Sequence, residues 1–168
     1  MPAEPSTVIE LVDRIQVAWA TLMDVVSPLS EAQLTAAGPP DGWAVKDHLM
    51  HIADWERATI SMLRREPQRR GLGVDPVPNE IDALNAVMFE RSRGLPLSAV
   101  TDRSRVAHAE LLAEVHKLSD ADLAKPTAEF DPEPDPSDRS VLGKIASDTY
   151  EHYADHTVWI GDLLRALE

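Results

Sequence analysis

The chain reads as all-α, an antiparallel up-down bundle of four helical segments, on three observations. Apolar residues recur at i, i+3 and i+4 over four long stretches, and nowhere do they alternate as in a strand. The 13 prolines cluster between those stretches, so they punctuate the pattern. The links between segments are short, which favours neighbouring antiparallel helices. The 168 residues read as one domain, 1–168, large enough to bury a core without disulfides, and no Cys is present.

The first segment spans about 6–26, with Val8, Leu11, Val12, Ile15, Trp19, Leu22, Val25 and Val26 on one face and Ser6 as N-cap. Pro28 and AAGPPDG close it. The second runs from about Ala44 to Arg65 on a face of Val45, Leu49, Ile52, Ile60 and Leu63, with His51, Trp55 and Met62 on its shoulder. After GLGVDPVP, a third segment starts near Asn79 as N-cap, with Ile81, Leu84, Val87 and Met88 inward. The third helix is expected to break near Gly94–Pro96, because proline removes a helix hydrogen bond and restricts the residue before it. It resumes through Val100, Ala107, Leu111, Val115 and Leu118. The proline- and acid-rich KPTAEFDPEPDPSD reads as a loop. The last helix starts near Ser140 and runs almost to the end.

That last helix carries the strongest chemical signal. At about 100° per residue, Val141, Leu142, Ile145, Thr149, His152, His156, Trp159, Ile160, Leu163 and Leu167 share an arc of roughly 100°, the width of a core-facing stripe. Imidazoles on such a stripe are poorly hydrated and need a hydrogen bond, a charge or a metal. At i and i+4, His152 and His156 point at one spot, the spacing by which a helix gives two nitrogens to one ion. His51, on the stripe of Trp55, supplies a third. A pair of hydrogen-bonded core histidines is the plainer alternative.

GWAVKDHLMHIADWE at 42–56 resembles the Gly-Trp-x-x-x-Asp-x-x-x-His-x-x-x-Trp signature of the DinB-like four-helix-bundle superfamily. DTYEHYADH at 148–156 resembles its closing His-x-x-x-His segment. Asn85 in DALNAVMFERSR, with HYADH, is similar to the ClbS/DfsB-like branch. The resemblance implies a bundle whose core often holds a divalent metal, here on His51, His152 and His156. Relatives include bacillithiol S-transferases, mycothiol-dependent isomerases and a resistance hydrolase acting on a genotoxic metabolite. The resemblance also leaves a homodimer open. Ala44 stands where the family usually has a Ser or Thr cap, at a cost of about 1 kcal/mol.

Three neutral imidazoles without a thiolate suit Zn first, with Ni, Fe, Mn or Co as alternatives. Three protein ligands leave an open position, as in a catalytic site. Trp43, Trp55, Trp159, Asn85 and His48 are read as pocket residues, although a solvated place is expected for His48. His108 carries no signal, and His116 reads as exposed. Glu151 and Asp148 are the candidates for a general base, with Asp155 flanking them. Three readings follow: a metal-dependent hydrolase or thiol S-transferase using an external low-molecular-weight thiol, a non-catalytic protein sequestering a reactive small metabolite, or a vestigial bundle without metal.

The net charge of −13 leads to an expectation of a small-molecule partner, no nucleic acid and no membrane. The one dense basic cluster is Arg64, Arg65, Arg69 and Arg70. No run approaches the ~20 apolar residues that span a bilayer. MPAEPSTVIE lacks the basic and apolar regions of a signal peptide, so a cytoplasmic location is expected.

Overall fold

A computed structural model of the chain describes residues 4–39, 42–133 and 139–167. Residues 40 and 41 of the first closure and 134–138 of the proline-rich loop lie outside the described residues, as do the first three. The architecture is a helical bundle with no strand among the described residues. In order it comprises α1 (Val8–Val26), α2 (Glu31–Thr35), α3 (Val45–Leu63), α4 (Gln68–Leu72), α5 (Ile81–Ser92), α6 (Leu97–Val115), α7 (Val141–Asp148) and α8 (Tyr150–Ala166). Two short 3-10 turns, Asp120–Ala124 and Thr127–Glu129, lie between α6 and α7.

The element boundaries follow from capping chemistry. Thr7, not Ser6, caps α1, its hydroxyl accepting from Glu10 N. Ser6 instead bonds the Glu10 carboxylate, and Asp120 accepts from Val8 N at 2.7 Å. Ala44 offers α3 no cap, but Asp47 Oδ2 still accepts from Ala44 N at 2.9 Å. The N-cap of α5 is Glu80 rather than Asn79, and no side chain caps it. Ser140 caps α7, close to where the sequence predicts the last helix to start. The third segment breaks between Ser92 and Leu97, where Lys46 Nζ donates to the Arg93 carbonyl at 2.6 Å. A cation there satisfies an orphan carbonyl at the negative end of α5.

The last segment departs from the continuous helix expected of it. It is interrupted at Thr149, whose φ and ψ are −124° and −104°. The cause is local: Thr149 Oγ1 donates to the Ile145 carbonyl at 2.6 Å, and its N–H turns to Ala146 O at 3.3 Å. A hydroxyl inserted into the i to i−4 ladder bends a helix in this way.

The core runs through α1, α3, α6, α7 and α8, with Leu11, Ile15, Leu22, Val45, Ile52, Leu111, Ile145 and Ile160 wholly enclosed. α3 lies against α6, α4, α5, α7 and α8, so nearly its whole circumference is buried. A helix so surrounded is normally apolar all round. Here it carries Lys46, Asp47, His48, His51, Asp54, Glu56 and Thr59 in buried positions, so polar partners must come from its neighbours. Around α5 the expected inward face is only half right, since Leu84 and Met88 are buried but Ile81 and Val87 are exposed. Trp159 of α8 and Leu167 just beyond it are exposed as well.

Candidate metal centre

α3 and α8 bring His51, His152 and His156 together, with one ligand atom of each lying within 4.8 Å of the others. The ring centroids of His51 stand 5.1 Å from both His152 and His156, and those of the α8 pair stand 4.4 Å apart. His51 and His156 are buried and His152 is half-buried. Nε2 of His152 and Nε2 of His156 are 2.9 Å apart. Two nitrogens on one tetrahedral zinc would stand roughly 3.3 Å apart, so the pair is spaced for a shared ion with little movement. Nδ1 of His51 and Nδ1 of His152 are buried without a hydrogen-bond partner. Unpaired buried nitrogens are costly unless something binds them. Each ring gives one nitrogen to an ion, so His152 would ligate through either Nε2 or Nδ1, and three imidazoles within this reach fit a divalent cation.

Electrostatics point the same way. Burial, with His152 and His48 close by, lowers His51 to about 3. Burial likewise lowers His152, and it lowers His156 far below the usual imidazole range. All three are therefore neutral near pH 7, the form that ligates a metal.

His48 is not solvated. It lies one turn before His51 on a nearby azimuth and is buried under Trp43, its Nδ1 2.8 Å from Nδ1 of His156. With His156 as the donor in that bond, its Nε2 is the unprotonated nitrogen facing the other imidazoles, the tautomer a metal ligand requires. The sequence pattern predicts a solvated place for His48, because the enclosure of α3 comes from packing that no local pattern shows.

The histidines open onto a cleft of about 860 Å³ walled by Trp43, Trp55, Asn85, Lys144, Asp148 and Trp159. Trp159, 49 % exposed, sits at its rim with its ring 4.7 Å from that of His156. Asn85 Oδ1 is buried there without a partner. Asp148 accepts from Thr59 Oγ1 and from Lys144 Nζ, both at 2.6 Å. Lys144 Nζ also stands 5.1 Å from the centre of the Trp55 ring. Asp148, which also accepts from Ser147 Oγ at 3.4 Å, is thus committed to three donors, and Glu151 is exposed and away from the cleft walls, as is Asp155. The other carboxylate on the walls, Asp162, pairs with Arg165.

Behind the histidines lies a group that sequence reasoning missed. Glu56 is wholly buried, and its Oε1 accepts from Tyr153 OH and lies 3.1 Å from His108 Nδ1, while Oε2 has no partner. His108 stacks on Trp19 with centroids 4.0 Å apart. Burial raises Glu56 and, with Glu56 beside it, pushes Tyr153 well above the phenol range. A signal was available: Glu56 fills the i+4 gap between Ile52 and Ile60 in an otherwise apolar stripe. Its partners Tyr153 and His108 sit on the facing helices.

By sequence, residues 14–161 match the DinB superfamily, and the chain belongs to it. No curated protein sequence matches. Among solved structures, a protein from Streptococcus pneumoniae superposes with a TM-score of 0.79 at 14 % identity, over 100 % of this chain and 96 % of its own. An uncharacterised protein from Clostridium difficile 630 gives 0.76 at 16 % identity over 100 % of both chains. The colibactin self-resistance protein ClbS, solved in complex with dsDNA, gives 0.74 at 16 % identity over 99 % of this chain and 100 % of its own.

The last comparison corrects the expectation of no nucleic acid, since a chain of this fold is solved on duplex DNA. Net charge is a whole-chain quantity, whereas phosphate contacts are decided locally, within a Debye length of about 8–10 Å. The basic cluster singled out in the sequence is internally paired: Arg64 with Glu110 and Glu114, Arg69 with Glu133, Arg70 with Glu66, and Arg65 with the Glu129 carbonyl. No described helix is long and apolar enough to cross a membrane.

Proposed function

We propose that the protein is a metal-dependent small-molecule enzyme of hydrolase or thiol S-transferase type, with His51, His152 and His156 as ligands. The observation that carries this reading is the convergence of three buried neutral imidazoles at the end of an aromatic-walled cleft, two of them with unpaired Nδ1 atoms. Zn suits the donor set best, with Ni, Fe, Mn or Co as alternatives. When bound, the ion supplies Lewis acidity near neutral pH, enough to acidify water or an external thiol. The chain has no Cys, so a thiol reactant must come from outside.

The protein's own groups orient and desolvate. His48 accepts the Nδ1–H of His156 in the ligating tautomer, and Trp43 and Trp55 exclude water from the cleft wall. Asn85 Oδ1 offers an acceptor to an N–H or O–H of the substrate. Asp148, bound by Thr59 and Lys144, holds the lysine in the wall and is not a free base.

Metal analysis of untagged protein, followed by turnover of model electrophilic esters and epoxides with and without an external thiol, tests the reading. Stoichiometric metal with chelator-sensitive turnover supports it. Failure to take up Zn, Ni, Fe, Mn or Co under any loading condition refutes it and leaves a vestigial bundle. Metal without turnover favours sequestration, the reading that the likeness to a self-resistance protein supports. That likeness also makes duplex DNA a partner to assay directly.

A further inference from the structure

α3 serves two clefts. His48, His51, Trp55 and Thr59 form one stripe toward the histidine site. Met50, Asp54, Arg57 and Ser61, about 135° away around the helix, line a second cleft of about 580 Å³ with α4 and α6. Five arginines and three carboxylates line it, a formal surplus of two positive charges in a chain of net charge −13.

The pairing of those arginines is uneven. Arg64 and Arg70 are held by glutamates, and Arg91 is held by Asp54 at 2.6 Å and by the Leu72 and Gly73 carbonyls. Arg57 and Arg103 have no hydrogen-bond or ion-pair partner among the described residues. Elsewhere in the chain the described arginines have one, so the two unpaired arginines are both among the residues that line this one cleft. Both stand near enough to the buried Asp54 to pull its ionisation downward. Arg57 is half-buried on α3 and Arg103 is exposed on α6, so the two forks approach from different helices.

We propose that this second cleft binds the phosphoryl group of a small phosphorylated molecule, with Arg57 and Arg103 as its two unpaired donors. One guanidinium fork saturates the two oxygens of a carboxylate. A terminal phosphoryl group presents three acceptor oxygens and so bridges two forks. The concave shape fits a small ligand better than the convex rail of a duplex. The acidic remainder of the chain repels anions at long range, so recognition rests on these local donors.

Titration calorimetry of metal-free protein with pyrophosphate, inorganic phosphate and citrate at low salt tests the assignment. Saturable one-site binding of pyrophosphate is expected, with Arg57→Gln and Arg103→Gln each weakening it at least about 10-fold, the loss of one charge-assisted bond. Arg57→Lys should recover only part of that loss, because it keeps the charge without the fork. His152→Ala should leave the affinity unchanged, which separates this cleft from the histidine site and from the enzyme reading. Both glutamine variants sit on partly exposed side chains, and unchanged melting curves establish that they fold. The proposal is overturned by absence of saturable heat below about 10 mM, or by a double variant within twofold of wild type. It is equally overturned by citrate binding as tightly as pyrophosphate, by loss of binding in His152→Ala, or by a 12-base-pair duplex that needs both arginines while pyrophosphate fails to compete.

Discussion

Replacing His152 by alanine should abolish the stabilisation that zinc confers while leaving the bundle folded. In the metal-free protein, His152 makes one imidazole–imidazole bond at 2.9 Å and leaves its Nδ1 buried and unpaired. Its truncation therefore removes a neutral hydrogen bond worth about 0.5–1.5 kcal/mol and relieves a desolvated nitrogen. The net change in apo stability should be near 1 kcal/mol or less, on the scale of a single such bond. Zinc at 100-fold excess over its dissociation constant should stabilise wild type by about 2.7 kcal/mol through mass action. For a domain of this size each kcal/mol is worth about 2–4 °C, so the melting midpoint should rise by roughly 5–11 °C. Calorimetric melts of chelator-stripped protein, with and without zinc, read the increment directly. His116→Ala, altering an exposed side chain, should keep the full increment. If His152→Ala retains it too, the ion is bound elsewhere, and the three-histidine assignment is wrong.

Other outcomes follow from the same geometry. In chelator, stability should fall as pH drops below 6.5: the folded values of His51, His152 and His156 are lowered, so their contribution is full above the unfolded value and is lost on acidification, at up to about 1.4 kcal/mol per pH unit for each histidine held neutral. Asp54, raised to about 6, and Glu56, also raised, oppose this as they take up protons, so the steepest loss should lie below about pH 4.5. Urea melts that show greater stability at pH 5 than at pH 7.5 would contradict the burial of these imidazoles. Tyr153→Phe should cost about 1.5–3 kcal/mol, because the hydroxyl donates to the enclosed Glu56 carboxyl. A loss under about 0.5 kcal/mol would mean that the bond contributes little. Gly71→Ala should destabilise by about 1–3 kcal/mol, since a Cβ there would lie 2.0 Å from the Arg57 carbonyl oxygen and α4 must lift from α3. An unchanged melting point would show that the contact yields freely.

Most helices were legible because amphipathic periodicity and proline placement act locally. The pair His152 and His156 was legible for the same reason, since i, i+4 spacing and stripe position are properties of one helix, whereas His51 on α3 joined it through its own stripe and the motif around it. What escaped depended on neighbours. Burial of His48 requires α8 and Trp43 to close over a helix whose own pattern reads as half-exposed. The Glu56, Tyr153 and His108 group joins three helices through one carboxylate, and a charged residue on an apolar stripe was passed over. The Thr149 interruption arises from a hydroxyl competing for a carbonyl, which threonine does in some helices and not in others.

The one-residue interruption at Thr149 also bears on how this architecture can diversify. In an unbroken helix, adding or removing a residue rotates everything beyond it by about 100°, so a length change before the histidines would swing them out of register with His51. Here the phase is reset between Asp148 and Tyr150. The stretch bearing Lys144, Ser147 and Asp148 is thereby uncoupled from the stretch bearing His152 and His156. Substitutions and even length changes in the former can reshape which ligand is admitted, while the imidazoles hold their aim. The joint thus separates inheritance of a chemistry from inheritance of a preference, so relatives could keep the one while exchanging the other.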